Sequence, residues 1–141
     1  MNAAIHDNES VKQVIDLKGP LKGKGGMLAH WHAEATGRLA QVHRDMETLA
    51  AESKTIAGRR WSLNANALRS SRQLRWRMTS GRHATWGAIK ALLANLPPGL
   101  ARWYTQAEEM AQLLNHRGQA IQYEVKTLER LKNRMLRESR E

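Results

Sequence analysis

The sequence predicts a mainly α-helical protein: a long antiparallel helical hairpin, with a short helix and a small Arg-rich β-hairpin or loop insert at the tip. Two long segments carry apolar residues at spacings of three and four, the period of an amphipathic helix. The chain has no Phe and only three Pro, a balance that favours helix over sheet. Between the two segments, apolar and basic residues alternate with a period of two, which is typical of a strand.

A length of 141 residues fits a single core. Residues 1–26 are predicted to form a short helix and a Gly/Lys-rich loop, and residues 27–141 a single helical domain with a basic insert at about 59–85. The loop is not a nucleotide-binding P-loop, because three residues rather than four separate Gly19 from Gly23 and no Ser or Thr follows Lys24. It is either a plain linker or a further contact to a phosphate backbone.

The first long helix is predicted from Met27 to Ala57, with Gly58 as its stop. One stripe contains its apolar residues, with Trp31 expected in the core. These stripe residues are Leu28, Trp31, Ala35, Leu39, Val42, Met46, Leu49 and Ile56.

In the insert, alternation places Leu74, Trp76 and Met78 on one face of a strand and Arg75 and Arg77 on the other. Residues 79–82 have turn chemistry, and residues 83–85 are predicted to form a short return strand. Residues 61–63 are a candidate third strand.

A short helix is predicted from Trp86 to Asn95, capped by Thr85, and a second long helix from the Pro97-Pro98 pair to about Arg137. The mixed charges of this second long helix are typical of a solvated coiled-coil face, and its Trp103 and Tyr123 are expected in the core. Its predicted stripe is Leu100, Trp103, Ala107, Met110, Leu114, Ile121, Val125, Leu128 and Met135. Because two such stripes leave apolar surface uncovered, a homodimer is expected.

The charge is concentrated between Ser53 and Ala107, which holds ten basic residues, no acidic ones and four of the five Trp. The rest of the chain has 13 basic and 13 acidic residues, so the formal charge of +10 resides in this stretch. Arginine binds phosphate bidentately and indole rings stack on bases; the alternative is that the Trp are core residues and the Arg serve solubility. The candidate nucleic-acid-binding residues are Arg59, Arg60, Arg69, Arg72, Arg75, Trp76, Arg77, Arg82, His83 and Lys90.

The sequence lacks the residues that several classes of function require. The chain has no Cys, which excludes disulfides and thiolate metal sites and favours a reducing, cytoplasmic location. His30 and His32 would point about 200° apart on a helix, so no metal site is expected. No nucleophile with a base is recognisable and the basic stretch has no carboxylates for a divalent ion. We therefore expect no enzyme, no cofactor and, without an apolar run of about 20 residues, no membrane partner.

Several segments together resemble an uncharacterised family of small basic proteins carried on integrative and conjugative elements of proteobacteria. The resemblance rests on Leu21-Lys-Gly-Lys-Gly25, Leu74-Arg-Trp-Arg77, His83-Ala-Thr-Trp86, Leu96-Pro-Pro-Gly-Leu-Ala-Arg-Trp-Tyr104 and Leu113-Leu-Asn115. It implies a mobile-element setting and no particular activity.

Two functions follow from these observations. The first is a non-enzymatic accessory protein that binds nucleic acid, DNA in preference to RNA, mainly through phosphate contacts and with weak sequence specificity. The alternative is an adaptor or inhibitor whose basic tip docks on an acidic protein of host defence or of the transfer machinery. Arginine meets carboxylate and phosphate equally well, so both readings remain open.

Overall fold

The structure, a computed structural model, describes residues 23–68 and 71–140. Its elements in chain order are α1 (Gly23–Ser53), β1 (Trp61–Leu68), β2 (Ser71–Met78), α2 (Trp86–Leu92), a 3-10 turn (Leu93–Asn95) and α3 (Pro98–Ser139). The prediction of a mainly helical fold with a small antiparallel β-hairpin is confirmed. Among the described residues, no helix combines the length and the apolar character that crossing a membrane requires.

The bounds of α1 differ from the prediction. It begins at Gly23 rather than Met27, so the last four residues of the predicted loop are helical; Gly lowers helix propensity without blocking the helix as Pro does. It ends at Ser53, and i→i−3 turns follow, in which Lys54 N donates to Ala51 O (3.1 Å). The predicted short N-terminal helix and the start of the predicted loop lie outside the described residues.

The chain divides into two compact units. The hairpin unit is Arg38–Gln122, and the terminal unit combines the described residues up to Gly37 with those from Tyr123 onward. The hairpin unit contains both strands and the whole basic stretch, so it is the unit that carries the candidate site.

Strand β2 pairs with β1, in a register from Trp61 opposite Met78 to Leu68 opposite Ser71. The predicted pairing with residues 83–85 is reduced to one bridge, between Arg77 and His83, and the candidate third strand is the start of β1. The reason is the length of each partner. β1 supplies eight residues for pairing, whereas the predicted return segment has only residues 83–85 and follows a tight turn at Gly81, whose φ is +90°.

The core of the hairpin unit forms around Tyr104, which is fully buried. Its ring makes edge contacts with Trp61 and Trp76, at centroid distances of 5.2 and 5.6 Å. The helices contribute small and aliphatic residues at spacings of three and four: Val42, Met46 and Ala50 from α1, and Ala107, Ala111, Leu114 and Ile121 from α3. Gly118 falls in the same series on α3 and faces Met46 and Val42.

Three helix side chains hold the two edges of the hairpin. On β1, the Tyr104 hydroxyl accepts from Arg60 N (2.9 Å) and Trp61 N (3.3 Å), and Ser53 Oγ accepts from Leu63 N (2.8 Å). On β2, Asn115 Oδ1 accepts from Leu74 N (2.8 Å) and Asn115 Nδ2 donates to Leu74 O (3.1 Å). Since a buried backbone group without a partner is costly, these bonds fix which face of the hairpin packs inward.

Several residues predicted to be in the core are exposed instead: Trp31 by 43%, Met110 by 46% and Tyr123 by 71%. Met110 and Tyr123 stand one and two positions from the buried Ala111 and Val125, and one or two helix positions turn a side chain by about 100° or 200°. Trp31 is in phase with Ala35, but it lies before the buried series of α1, whose first member among the described residues is Ala35. Met78 is also 45% exposed, although it follows the alternation of β2, because it stands at the end of the strand.

Candidate nucleic-acid interface

The hairpin has one packed face and one polar face. Trp61 and Leu63 of β1, and Leu74 and Trp76 of β2, are buried, so the residues between them project from the opposite side. We call these the ribbon face: Ser62, Asn64 and Asn66 from β1, and Gln73, Arg75 and Arg77 from β2. The register places Ser62 opposite Arg77, Asn64 opposite Arg75, and Asn66 opposite Gln73. The ribbon face therefore combines two cations with three amide side chains and no acid.

Arg75 and Arg77 share this face, as the alternation predicts, but they differ in exposure and in their contacts. Arg75 is exposed. Arg77 is partly buried; its Nη1 donates to Gly81 O (2.8 Å), and its Nη2 reaches Asn66 Oδ1 at 3.4 Å. The turn at residues 79–82 thus holds the Arg77 guanidinium in place, which lowers the entropy that it would lose on binding an anion.

His83 lies beside the two arginines of the ribbon face, because it forms an isolated bridge with Arg77. Its pKa is lowered from the usual value, mainly by the charge of Arg77, then by burial and by the charge of Arg75. Nearby positive charges disfavour a further proton on the imidazole. At neutral pH, His83 is therefore a neutral imidazole that is able to donate a hydrogen bond to an anion.

Two clefts border the ribbon face. The first, of about 230 Å³, is lined by Lys54, Arg59 and Arg77, together with uncharged residues of β1 and the turn, and by no acidic residue. The second, of about 350 Å³, contains Arg75, His83 and His116, with Trp76, Trp86 and Glu108 among its walls. In the first cleft, Arg59 is anchored, since its Nη1 donates to Lys54 O (2.7 Å).

Trp76 does not offer a stacking surface for bases. It is 4% exposed, its Nε1 donates to Glu108 Oε1 (3.0 Å), and its ring stacks on Trp86 at 6.2 Å. Glu108 also accepts from Gln112 through its second oxygen (3.1 Å). The aromatic ring and the carboxylate thus hold each other in place, and Trp76 belongs to the packing of the unit.

Arg72 does not join Arg75 and Arg77. It is separated from Arg75 by an odd number of positions, so it projects from the packed face, where its Nη1 meets Glu47 Oε1 at 2.6 Å. Arg72 also lies near His43, whose pKa is lowered first by burial and then by Arg72, against an opposing effect of Glu47. Its charge is therefore largely engaged within the protein.

The remaining predicted residues are dispersed. Arg60 stands over the Trp61 ring at 5.4 Å, a cation–π arrangement, and Arg82 and Lys90 are exposed on the turn and on α2. Arg69 lies outside the described residues. Sequence reasoning missed Lys54, Asn64 and Gln73. A signal existed for Asn64, because residues 61–68 alternate apolar and polar side chains over most of their length, much as residues 74–78 alternate apolar and basic ones.

No group of three or more His, Asp or Glu in the described part of the chain is placed to hold a metal ion. Comparisons of the chain with protein-family models, with curated proteins and with solved structures each find no match. The fold and the site together define a mainly helical protein that presents a basic and amide-rich β-ribbon.

Proposed function

We propose that this protein is a non-enzymatic nucleic-acid-binding protein that contacts phosphates through the ribbon face and its adjoining clefts, with DNA preferred to RNA. One observation carries the proposal: Lys54, Arg59 and Arg77 line one cleft that has no acidic residue, and Arg77 also belongs to the ribbon face beside Arg75. Grouped cations without carboxylates are the electrostatic requirement for binding a phosphate backbone.

The arginines suit this role for a physical reason. A guanidinium binds phosphate with two parallel hydrogen bonds, and contacts from Gly81 and Lys54 already position Arg77 and Arg59. Neutralising phosphates releases condensed counterions, so affinity depends steeply on salt. If about six phosphates are neutralised, the log–log salt slope for duplex DNA is roughly −5.

The helical framework of the site is part of the proposal. Within the hairpin unit, the end of α1 lies near the start of α3, since Ser53 and Tyr104 both bond to β1. Earlier α1 residues, Val42 and Met46, face Gly118, farther along α3. We propose that α1 and α3 pair as an antiparallel, coiled-coil-like hairpin with the ribbon at its tip.

The expected setting and assembly are proposals too. The resemblance to mobile-element proteins favours an accessory role during transfer or maintenance of such an element. A homodimer would cover the apolar side chains that the terminal unit exposes, Trp31 and Tyr123. Docking on an acidic protein is the outcome that we would accept if no nucleic acid binds.

Fluorescence anisotropy tests the function. Labelled 20-base-pair DNA and RNA duplexes and their single strands are titrated with protein across a salt series. We expect binding with a steep salt slope, and Arg75→Ala with Arg77→Ala should flatten that slope by about 2, because each lost phosphate contact removes roughly one unit.

The matched control is Arg134→Ala with Arg137→Ala, which removes the same charge from exposed positions of the terminal unit. This control should leave the slope nearly unchanged. Equal effects of the two double variants would show that only total charge matters and that the ribbon face is not the site. Absence of binding at low salt would overturn the function itself.

A further inference from the structure

We infer that the ribbon face reads base edges in the major groove of duplex DNA. This inference rests on the proposed nucleic-acid function and adds sequence selectivity to it, whereas phosphate contacts alone would give weak specificity. It starts from the three amide side chains on the ribbon face, which phosphate binding does not require.

Two of these amides are available to a ligand. Within residues 23–68 and 71–140, no hydrogen bond engages the side chains of Asn64 or Gln73, nor that of Arg75. Asn64 and Arg75 are directly opposite each other in the register, and Gln73 is the next ribbon-face residue before Arg75 on β2. Cross-strand neighbours lie about 5 Å apart at Cβ, so these three side chains form one compact group of donors and acceptors.

The spacing of the ribbon matches the spacing of base pairs. Alternate residues of a strand are about 6.8 Å apart, which equals two steps of B-DNA at about 3.4 Å each. Two strands about 4.8 Å apart form a ribbon that the major groove, about 12 Å wide, admits. Residues 62–66 and 73–77 of the ribbon face would thus span about four base pairs.

The side-chain chemistry fits the same surface. Asn and Gln bind adenine bidentately at N6 and N7, and Arg binds guanine at O6 and N7. The cations in the bordering clefts, Lys54 and Arg59, are placed to meet phosphates beside the groove. Double-stranded RNA has a deep, narrow major groove that side chains do not reach, so this mode of binding requires DNA.

The test is selection from a library of duplexes with a random central segment, followed by sequencing. Wild-type protein should enrich a short motif of about four base pairs. Asn64→Ala with Gln73→Ala should lose that motif and reduce the preference for it over a scrambled duplex by at least about fivefold per lost amide contact. Because no charge is removed, its salt slope should stay close to that of the wild type.

The control is Asn95→Ala with Gln106→Ala, which removes two amides from exposed positions outside the ribbon face and should retain the motif. Circular dichroism and thermal unfolding establish that each variant is folded. A duplex RNA of the enriched sequence should bind more weakly than the DNA.

The outcomes distinguish failure of base reading from failure of nucleic-acid binding. Binding of duplex DNA without any enriched motif would overturn base reading and leave the phosphate-binding function in place. A motif that persists in Asn64→Ala with Gln73→Ala, or equal affinity for the RNA duplex, would also overturn base reading. Absence of any nucleic-acid binding would overturn both.

Discussion

At the scale of single residues, Tyr104 joins α3 to the hairpin through both its ring and its hydroxyl. Its ring is buried between Trp61 and Trp76, and its hydroxyl serves three backbone groups: it accepts from the amides of Arg60 and Trp61 and donates to Trp61 O (3.4 Å). No further strand pairs with this edge of β1 within the described residues. The buried Tyr104 hydroxyl therefore supplies hydrogen-bond partners to backbone groups that are shielded from water.

Replacing Tyr104 by Phe should destabilise the protein by about 1–3 kcal/mol, because the ring remains while buried amides lose their acceptor. The measurement is urea unfolding followed by circular dichroism. The control is Tyr123→Phe, which removes the same hydroxyl from a side chain that is 71% exposed and should change the free energy of unfolding by less than about 0.5 kcal/mol. Equal effects of the two substitutions would contradict the assigned role.

We expect His83 to make the proposed DNA binding depend on pH. In the free protein, Arg77 and Arg75 hold the pKa of His83 below its usual value, and bound phosphates would offset these charges and raise it. Because the complex then binds more protons than the free protein, affinity should rise as the pH falls through the pKa of the complex and level off below that of the free protein.

Anisotropy titrations between pH 7.5 and pH 5.5 should therefore show several-fold tighter binding at the lower pH for the wild type. His83→Gln should lose most of this change, whereas His30→Gln, at an exposed position of the terminal unit, should keep it. A pH dependence that survives His83→Gln would assign the proton uptake to another group.

At the scale of elements, the hairpin is stable because helices supply what a two-stranded sheet lacks. An isolated two-stranded hairpin is marginal in water, but here Ser53, Tyr104 and Asn115 bond to its outer edges and its apolar face is buried. The helices in turn approach each other at Gly118, where an added Cβ would stand 3.4 Å from Met46 Cε and 3.5 Å from Val42 Cγ1.

Gly118→Ala should stabilise the protein by up to about 1 kcal/mol, because alanine is the better helix former and its Cβ meets its neighbours at ordinary contact distances. Gly118→Leu should instead destabilise it by about 1–3 kcal/mol, because the extra atoms overfill the contact. Gly37→Ala is the control, since a Cβ there meets nothing within 4 Å and only the helix propensity changes. A Leu variant as stable as the Ala variant would contradict the close packing of the helices.

At the scale of the whole molecule, the two units have different surfaces. The hairpin unit carries the basic stretch, and the terminal unit exposes an apolar groove of about 320 Å³ lined by Trp31, Tyr123 and Leu128 among others. Large exposed aromatic side chains grouped in this way are typical of an interaction surface. The proposed nucleic-acid site and the proposed dimer interface would therefore lie in different units.

Light scattering should give a mass of about twice the 16.0 kDa chain. Trp31→Ser with Tyr123→Ser should shift the protein towards monomer, because an interface loses its aromatic anchors. Leu113→Ser, at another apolar position that is 49% exposed, should leave the mass unchanged. A wild-type protein that is monomeric at high micromolar concentration would rule out the dimer.

Local patterns in the sequence were sufficient for the helical class, for the strand character of residues 74–78 and for the shared face of Arg75 and Arg77, because the period of side chains depends only on backbone geometry. The concentration of charge between Ser53 and Ala107 is also a property of composition. The tertiary structure decided which segment pairs with β2, since the alternation of side chains along a strand does not determine which other strand it pairs with. It likewise turned Arg72 towards Glu47 and made Tyr104 rather than Trp31 or Tyr123 a core residue. These outcomes depend on side chains some 25 to 44 positions away, and contacts at such separations are set by how the elements pack.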